Sequence, residues 1–395
     1  MGNVRFAIYV TAPFGLNYYA PQYNLANTAN HTWEGSELLT QTAVKQAIEI
    51  TTDMLVDAPF TDLIMGYFGL ANTDTSSPWY QHDTPVITWN GVPVSPMTTP
   101  PDWKHPDQKW GLLPNVGEYL QKIAASGKNL VASMQHDADL AYIQNNWTTE
   151  GFYEAFDAQV LTPFHLTGLD LDMESQWSTY PNVLIELSNT FGKEGRLVSH
   201  APYGYLDCSS GFETMLAYYL CPEQSAPQTT PLVGHTVIEN GAGERQNSIS
   251  WLNIQYYSGG EQGSASAVLQ QYITAVSATA AIPNSGIAEP AYFCLAGFSP
   301  CICDPDFRLW IQPRDATAQQ NCCTKPGTVQ TDNCTSGTLV LDAVNDLVQH
   351  YGKDASGRAQ FGGVFIYDYR YYTPDQDGYS YQMETWNMIA SALGL

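Results

Sequence analysis

Basic residues are scarce in this chain: 15 Lys and Arg stand against 39 Asp and Glu, a formal charge of −24. A surface field of that sign repels phosphate backbones and anionic headgroups, so nucleic acid is not an expected partner. Charge of either sign is sparse, at 14% of residues, yet the mean hydropathy is −0.23. The polarity therefore comes from Ser, Thr, Asn, Gln and Tyr, an uncharged hydrogen-bonding surface that suits sugars. No run approaches the roughly 18 to 20 apolar residues of a membrane span. Met1-Gly2-Asn3-Val4-Arg5 leads into strand-like sequence without an apolar h-region, and Phe6 breaks the myristoylation pattern, so no membrane association is expected. G-x-x-x-x-G-K-[ST], G-x-G-x-x-G and G-x-S-x-G are all missing, which removes the usual nucleotide and serine-hydrolase signatures.

What is present is enough for a large interior: 395 residues, 44% hydrophobic and 12% aromatic. Of the eight cysteines, Cys208 and Cys221 form one group, and Cys294, Cys301, Cys303, Cys322, Cys323 and Cys334 form another. An even number concentrated in loop-like sequence, without the C-x-x-C pairs of a zinc site, predicts a disulfide framework and an oxidising compartment. The triplets Asn30-His31-Thr32, Asn146-Trp147-Thr148 and Asn333-Cys334-Thr335 fit a glycosylated, secreted protein. His136-Asp137-Ala138-Asp139 reads as a loop after a strand rather than a metal site, and no metal or cofactor is expected.

Short apolar runs alternate with longer amphipathic stretches, the pattern of βα units on a parallel sheet. Strands are predicted over 5–11, 63–69, 129–135, 166–173, 197–202, 250–257, 291–297 and 362–369. Helices are predicted over 39–56, 116–125, 152–160, 181–191, 212–219, 265–278, 339–351 and 382–393. Eight strands each followed by a helix is the arithmetic of a (β/α)8 TIM barrel, an α/β fold. A plain barrel needs about 250 residues, so the surplus is assigned to insertions at about 72–109 and 294–337, the second disulfide-rich. With no linker or repeat, residues 1–395 are expected to form a single catalytic domain, and a monomer.

The densest chemistry is Thr167-Gly168-Leu169-Asp170-Leu171-Asp172-Met173-Glu174 on the fourth predicted strand. Strand side chains alternate faces, so Asp170, Asp172 and Glu174 share the face toward the barrel interior while Leu169, Leu171 and Met173 share the other. Carboxylates this close cannot all ionise at neutral pH, and at least one should have a raised pKa. Glu174, nearest the C-terminal rim, is the natural general acid. The other reading of such a triplet is a divalent-cation site or a solvated strand end.

This segment resembles the D-G-x-D-x-D-x-E signature of glycoside hydrolase family 18, the chitinases and endo-β-N-acetylglucosaminidases, which are TIM barrels carrying it on the fourth strand. Arg5-Phe6-Ala7-Ile8-Tyr9-Val10, Ser199-His200-Ala201-Pro202-Tyr203, Asn253-Ile254-Gln255-Tyr256-Tyr257 and Gly362-Gly363-Val364-Phe365-Ile366-Tyr367 resemble the family's first, fifth, sixth and eighth strands. The resemblance implies that Glu174 protonates the glycosidic oxygen and that the substrate's 2-acetamido oxygen attacks the anomeric carbon, giving an oxazolinium ion and retained configuration. It implies that Asp172 orients the acetamido N–H, that Asp170 shares its charge from behind, and that Tyr257 hydrogen-bonds the acetamido oxygen. Gln255, Tyr367, Trp177, Tyr203 and Asp368 would line the sugar pocket, and the partner is an N-acetylglucosamine-containing oligosaccharide or polysaccharide.

Three positions depart from the pattern. Thr167 stands at the motif's first Asp, a structural position. Ser133-Met134-Gln135-His136 replaces S-x-G-G on the third strand, and Tyr367 replaces the Trp usual in chitinases, as in the branch that cuts the chitobiose core of N-glycans. Trp79, Trp89, Trp103 and Trp110 in or beside the first insertion are candidates either for sugar stacking or for loop packing. The leading expectation is a retaining hydrolase of β-1,4 N-acetylglucosamine linkages. The alternatives are an endo-β-N-acetylglucosaminidase and a catalytically silent lectin or inhibitor, a fate known in the family.

Overall fold

A computed structural model describes residues 3–21, 40–71, 86–95, 109–173, 180–202, 204, 236–239, 243, 245–256, 264–281, 285–301, 310–311, 339–369 and 378–395. In chain order the strands among them are β1 (Arg5–Val10), β2 (Asp62–Leu70), β3 (Ile87–Trp89), β4 (Val92–Pro93), β5 (Asn129–Met134), β6 (Gly168–Leu171) and β7 (Leu197–His200). They continue with β8 (Val237–Glu239), β9 (Arg245–Asn247), β10 (Trp251–Gln255), β11 (Cys294–Phe298), β12 (Pro300–Cys301), β13 (Trp310–Ile311) and β14 (Gly363–Tyr369). The helices are α1 (Gln41–Asp57), α2 (Val116–Ala125), α3 (Asp137–Asn146), α4 (Thr149–Phe156), α5 (Thr162–Phe164), α6 (Pro181–Lys193), α7 (Ala265–Ala280), α8 (Val340–Tyr351) and α9 (Gly378–Leu393).

Strands β1, β2, β5, β6, β7, β10, β11 and β14 pair in parallel in that order, and β14 returns to β1, so the sheet closes into the (β/α)8 barrel. All eight predicted strands are barrel strands. Each is buried on both faces, which is why each reads as a near-continuous apolar run. Phe6, Ile8 and Val10 of β1, or Leu169 and Leu171 of β6, belong to the large core between sheet and helices. Ala7, Tyr9, Ile64, Val131, Trp251, Leu295 and Phe365 form a second cluster inside the barrel. The helices form where the apolar spacing is helical, and two begin on threonine caps: Thr40 Oγ accepts from Ala43 N, and Thr148 Oγ from Gly151 N.

Several expectations need correction. Asp137 opens helix α3, with Asp137 and Asp139 in its first turn, so the tract after the third strand is only briefly a loop. Acidic residues there favour the positive end of the helix dipole. The helix expected over 152–160 is α4 continued by a π turn over Asp157–Leu161. Within the first insertion, Asn90 and Gly91 take φ of 50° and 75° and join β3 to β4 as a two-residue hairpin laid against β2. Trp89 is 1% exposed, stacked on Phe68 at 4.6 Å, and Trp110 is buried beside Ala20 and Ala71, so both pack the structure rather than face a sugar. Trp79, Trp103 and the helix expected over 212–219 lie outside the described residues.

Cys294 corrects the disulfide reading. It is the first residue of barrel strand β11, fully buried and free, so it belongs to the core and not to a cross-linked loop. Burial pushes its thiol well above the ordinary range. That leaves seven cysteines, an odd number, for any framework. Cys301 lies in β12, and Cys208, Cys221, Cys303, Cys322, Cys323 and Cys334 fall outside the described residues. Among the described residues no helix is long and apolar enough to cross a membrane.

Candidate active site

Period-two alternation puts Asp170 and Asp172 on the inner face of β6 and its continuation, both at most 2% exposed, while Leu169, Leu171 and Met173 pack outward. The parallel ladder extends past β6, with Asp172 N donating to Met134 O at 2.9 Å and Ala201 N to Leu171 O at 3.2 Å. The backbone carrying Asp172 is thereby fixed on both sides. Thr167, below them, donates its hydroxyl to Leu130 O at 3.0 Å.

Asp170 is the hub of the interior. Its Oδ2 accepts from Tyr9 OH at 3.0 Å and Ser133 Oγ at 2.7 Å, and its Oδ1 from Ser199 Oγ at 2.6 Å and Asn253 Nδ2 at 3.1 Å. Those donors come from β1, β5, β7 and β10, so one carboxylate ties four strands. Asn253 is itself oriented by Trp251 Nε1, which donates to its Oδ1 at 2.8 Å. Burial raises Asp170 to about 6, and the four donors, Ser199 first, pull in the opposite direction. A raised carboxyl was expected from crowding of like charges; desolvation is the larger cause.

Asp172 sits one step nearer the rim. Its Oδ1 accepts from Gln255 Nε2 at 3.2 Å, and Gln255 also donates to Ala201 O at 3.1 Å. Its Oδ2 lies 3.1 Å from the Tyr67 hydroxyl, which is also 3.1 Å from the Tyr367 hydroxyl. Tyr367 packs edge-on against Tyr9 at 5.4 Å. The structure thus brings together Asp170, Asp172, Gln255 and Tyr367 of the predicted residues. Glu174, Tyr257, Trp177 and Tyr203 lie outside the described residues, and Asp368 lies on β14 with its side chain outside the description.

Sequence reasoning missed Tyr9, Tyr67, Ser133, Ser199 and Asn253. For four of them a signal existed: polar or phenolic residues at inward positions of otherwise apolar strands. Tyr67 had none, because β2 bulges against β5. Met65 pairs with Ala132 and Phe68 with Met134, three steps against two, which turns Tyr67 inward and Phe68 outward. Among the described residues no cluster of His, Cys, Asp or Glu could hold a metal ion.

No family model matches the chain, and no curated protein is similar to it. Among solved structures it is similar to a GH18 chitinase from Pseudoalteromonas aurantia, at 13% identity over 98% of this chain and 100% of that one, TM-score 0.48. It is similar to a class V chitinase from Pseudomonas fluorescens Pf-5, at 12% identity over 99% and 100%, TM-score 0.48. It is also similar to a xylanase and alpha-amylase inhibitor protein from Scadoxus multiflorus, at 11% identity over 99% and 98%, TM-score 0.38.

Proposed function

We propose that the chain is a retaining glycoside hydrolase acting on β-1,4-linked N-acetylglucosamine by substrate-assisted catalysis. The observation that carries this reading is the inward pair Asp170 and Asp172, buried inside a closed barrel and held by six donors from six other residues, on the strand that runs on to Glu174. A metal site leaves carboxylate oxygens free for a cation, whereas every oxygen of this pair accepts a hydrogen bond from the protein. What such a site can do is present one fixed anionic oxygen to a polar N–H of a bound sugar, which positions the acetamido group for attack on the anomeric carbon. In this reading Asp172 orients that amide, Asp170 stores charge behind it, Tyr257 holds the acetyl oxygen, and Glu174 gives its proton to the leaving sugar. The oxazolinium ion then opens to water, with Glu174 taking back a proton, and configuration is retained.

Tyr367 favours a second reading for substrate. A phenol tied to Tyr67 stands where chitinases usually place an indole, which supports cleavage of the N-glycan chitobiose core. The test is hydrolysis of chitotetraose and of a high-mannose N-glycopeptide, side by side with EDTA present, by the wild type and by Glu174→Gln. Cleavage of either by the wild type, reduced about 1,000-fold in the variant, supports the acid role and chooses the branch. Retained sugar binding without cleavage by either form refutes the hydrolase and favours the lectin.

A further inference from the structure

The bulge in β2 has a chemical result. It places the only phenol that reaches Asp172 among the described residues, and it sets that half-buried phenol between the Asp172 carboxylate and the Tyr367 hydroxyl. Tyr67 has a single proton to give. An ionised Asp172 can only accept, so Tyr67 donates to Oδ2, and its contact with Tyr367 is then a bond in which Tyr367 donates. The two tyrosines form a short chain that ends on the carboxylate, with Gln255 holding the other oxygen. Asn90 Oδ1 accepts from Tyr67 N at 2.8 Å, which anchors the bulge itself, and Asn90 Nδ2 reaches Thr11 O.

We propose that Tyr67 is a positioning residue that fixes the plane of the Asp172 carboxylate opposite Gln255 and holds it ionised, with Tyr367 as the donor behind it. The kinetic consequence rests on the hydrolase reading above; the effect on Asp172 does not. Among the described residues the groups facing this pair are Gln255 from β10, Tyr367 from β14, Tyr9 from β1 and Asp170 two residues back on β6. Of these only Asp170 carries charge, and its oxygens are occupied by four donors. Burial, and then the charge of Asp172, raise the Tyr67 phenol well above its ordinary range, so it keeps its proton throughout the working pH range. A hydrogen bond to an ionised group favours the ionised form, and its loss is equivalent to a rise of about one pH unit in the carboxyl midpoint.

The experiment uses Tyr67→Phe, which keeps the ring and removes only the hydroxyl, and Tyr367→Phe, which leaves the bond to Asp172 in place. In protein labelled with 13C at aspartate carboxyls, the Asp172 signal is identified by its loss in Asp172→Asn and followed from pH 3 to 8. Tyr67→Phe is expected to raise its midpoint by about one pH unit and Tyr367→Phe by less. On chitotetraose, the acid limb of kcat/KM should move up by the same amount, with kcat down about tenfold and KM changed less than threefold. An unchanged Asp172 midpoint in Tyr67→Phe overturns the proposal, even in an active enzyme. A shifted midpoint in a protein that cleaves neither sugar leaves Tyr67 as the holder of Asp172 and refutes the hydrolase reading instead.

Discussion

His200 provides a stability test that is independent of catalysis. It faces outward from β7, wholly buried against α6, where its Nε2 lies 2.9 Å from Ser188 Oγ. Ser188 spends its own proton on Leu184 O at 2.8 Å, so the imidazole donates through Nε2. Burial lowers its pKa from 6.5 to about 3. Unfolded chains take up this proton near pH 6.5 and the folded protein does not, so the contribution is complete above that pH and is lost as pH falls toward 3. Between pH 7 and pH 5 the loss is about 2 kcal/mol. Asp170 acts in the opposite direction: with its carboxyl raised to about 6, the folded state protonates first and gains about 1 kcal/mol over the same interval. The perturbation is His200→Gln, whose amide can still donate to Ser188. Urea unfolding and refolding at both pH values should show the variant losing about 2 kcal/mol less than the wild type between pH 7 and 5, whatever its stability at pH 7. Equal losses in the two proteins would refute the assignment of a neutral, proton-refusing His200.

Two further outcomes follow from the barrel's close contacts. Gly363 holds φ at 106°, and a Cβ there would lie 1.9 Å from Arg5 O, so Gly363→Ala should destabilise the fold by on the order of 3 kcal/mol, read as a lower urea midpoint with unchanged slope. Cys294 should resist iodoacetamide in the native protein and label fully in urea, as measured by peptide mass spectrometry; native labelling would show that strand β11 is open to solvent.

How much of this was legible depended on whether the determining contact was local. The eight strands announced themselves because burial on both faces writes an apolar run into each segment, and Asp170 and Asp172 were placed correctly because side-chain alternation needs no partner. Cys294 was misread because it lies next to a cysteine-rich stretch, although Phe293-Cys294-Leu295-Ala296-Gly297-Phe298 is itself an apolar strand, the stronger local signal. Helix α3 was missed because its apolar face is only Leu140 and Ile143 with buried Asp139, too little for a clear period. Asn90-Gly91 between apolar residues carried a hairpin signal that was passed over. The partners of the two carboxylates could not be read at all, since Tyr9 and Asp170 are 161 residues apart and the register that joins them exists only once the sheet closes.

The interior of the barrel is graded, from an ion pair at one end through an apolar layer to the two carboxylates. At the floor, Arg5 reaches Asp62 Oδ1 at 2.6 Å and lies 4.0 Å from the Trp251 ring, while Asn129 donates to the same carboxylate oxygen at 2.8 Å. This ion pair closes the N-terminal end with its charge neutralised locally. Above it, Ala7, Ile64, Val131, Leu295 and Phe365 exclude water, and Gly297 leaves the space that the Phe365 ring fills. A carboxylate placed directly on that apolar layer is stripped of water, which is the physical origin of the rise in Asp170. Four neutral donors are then needed to make the anion tolerable, and they are what a barrel can supply from four different strands at one height. Asp172, a step higher, takes its donors from Gln255 and Tyr67 and stands between this dry layer and the mouth. Among the described residues the donors that hold these two carboxylates are all neutral, so each donor removed should move the carboxylate's proton affinity rather than the fold.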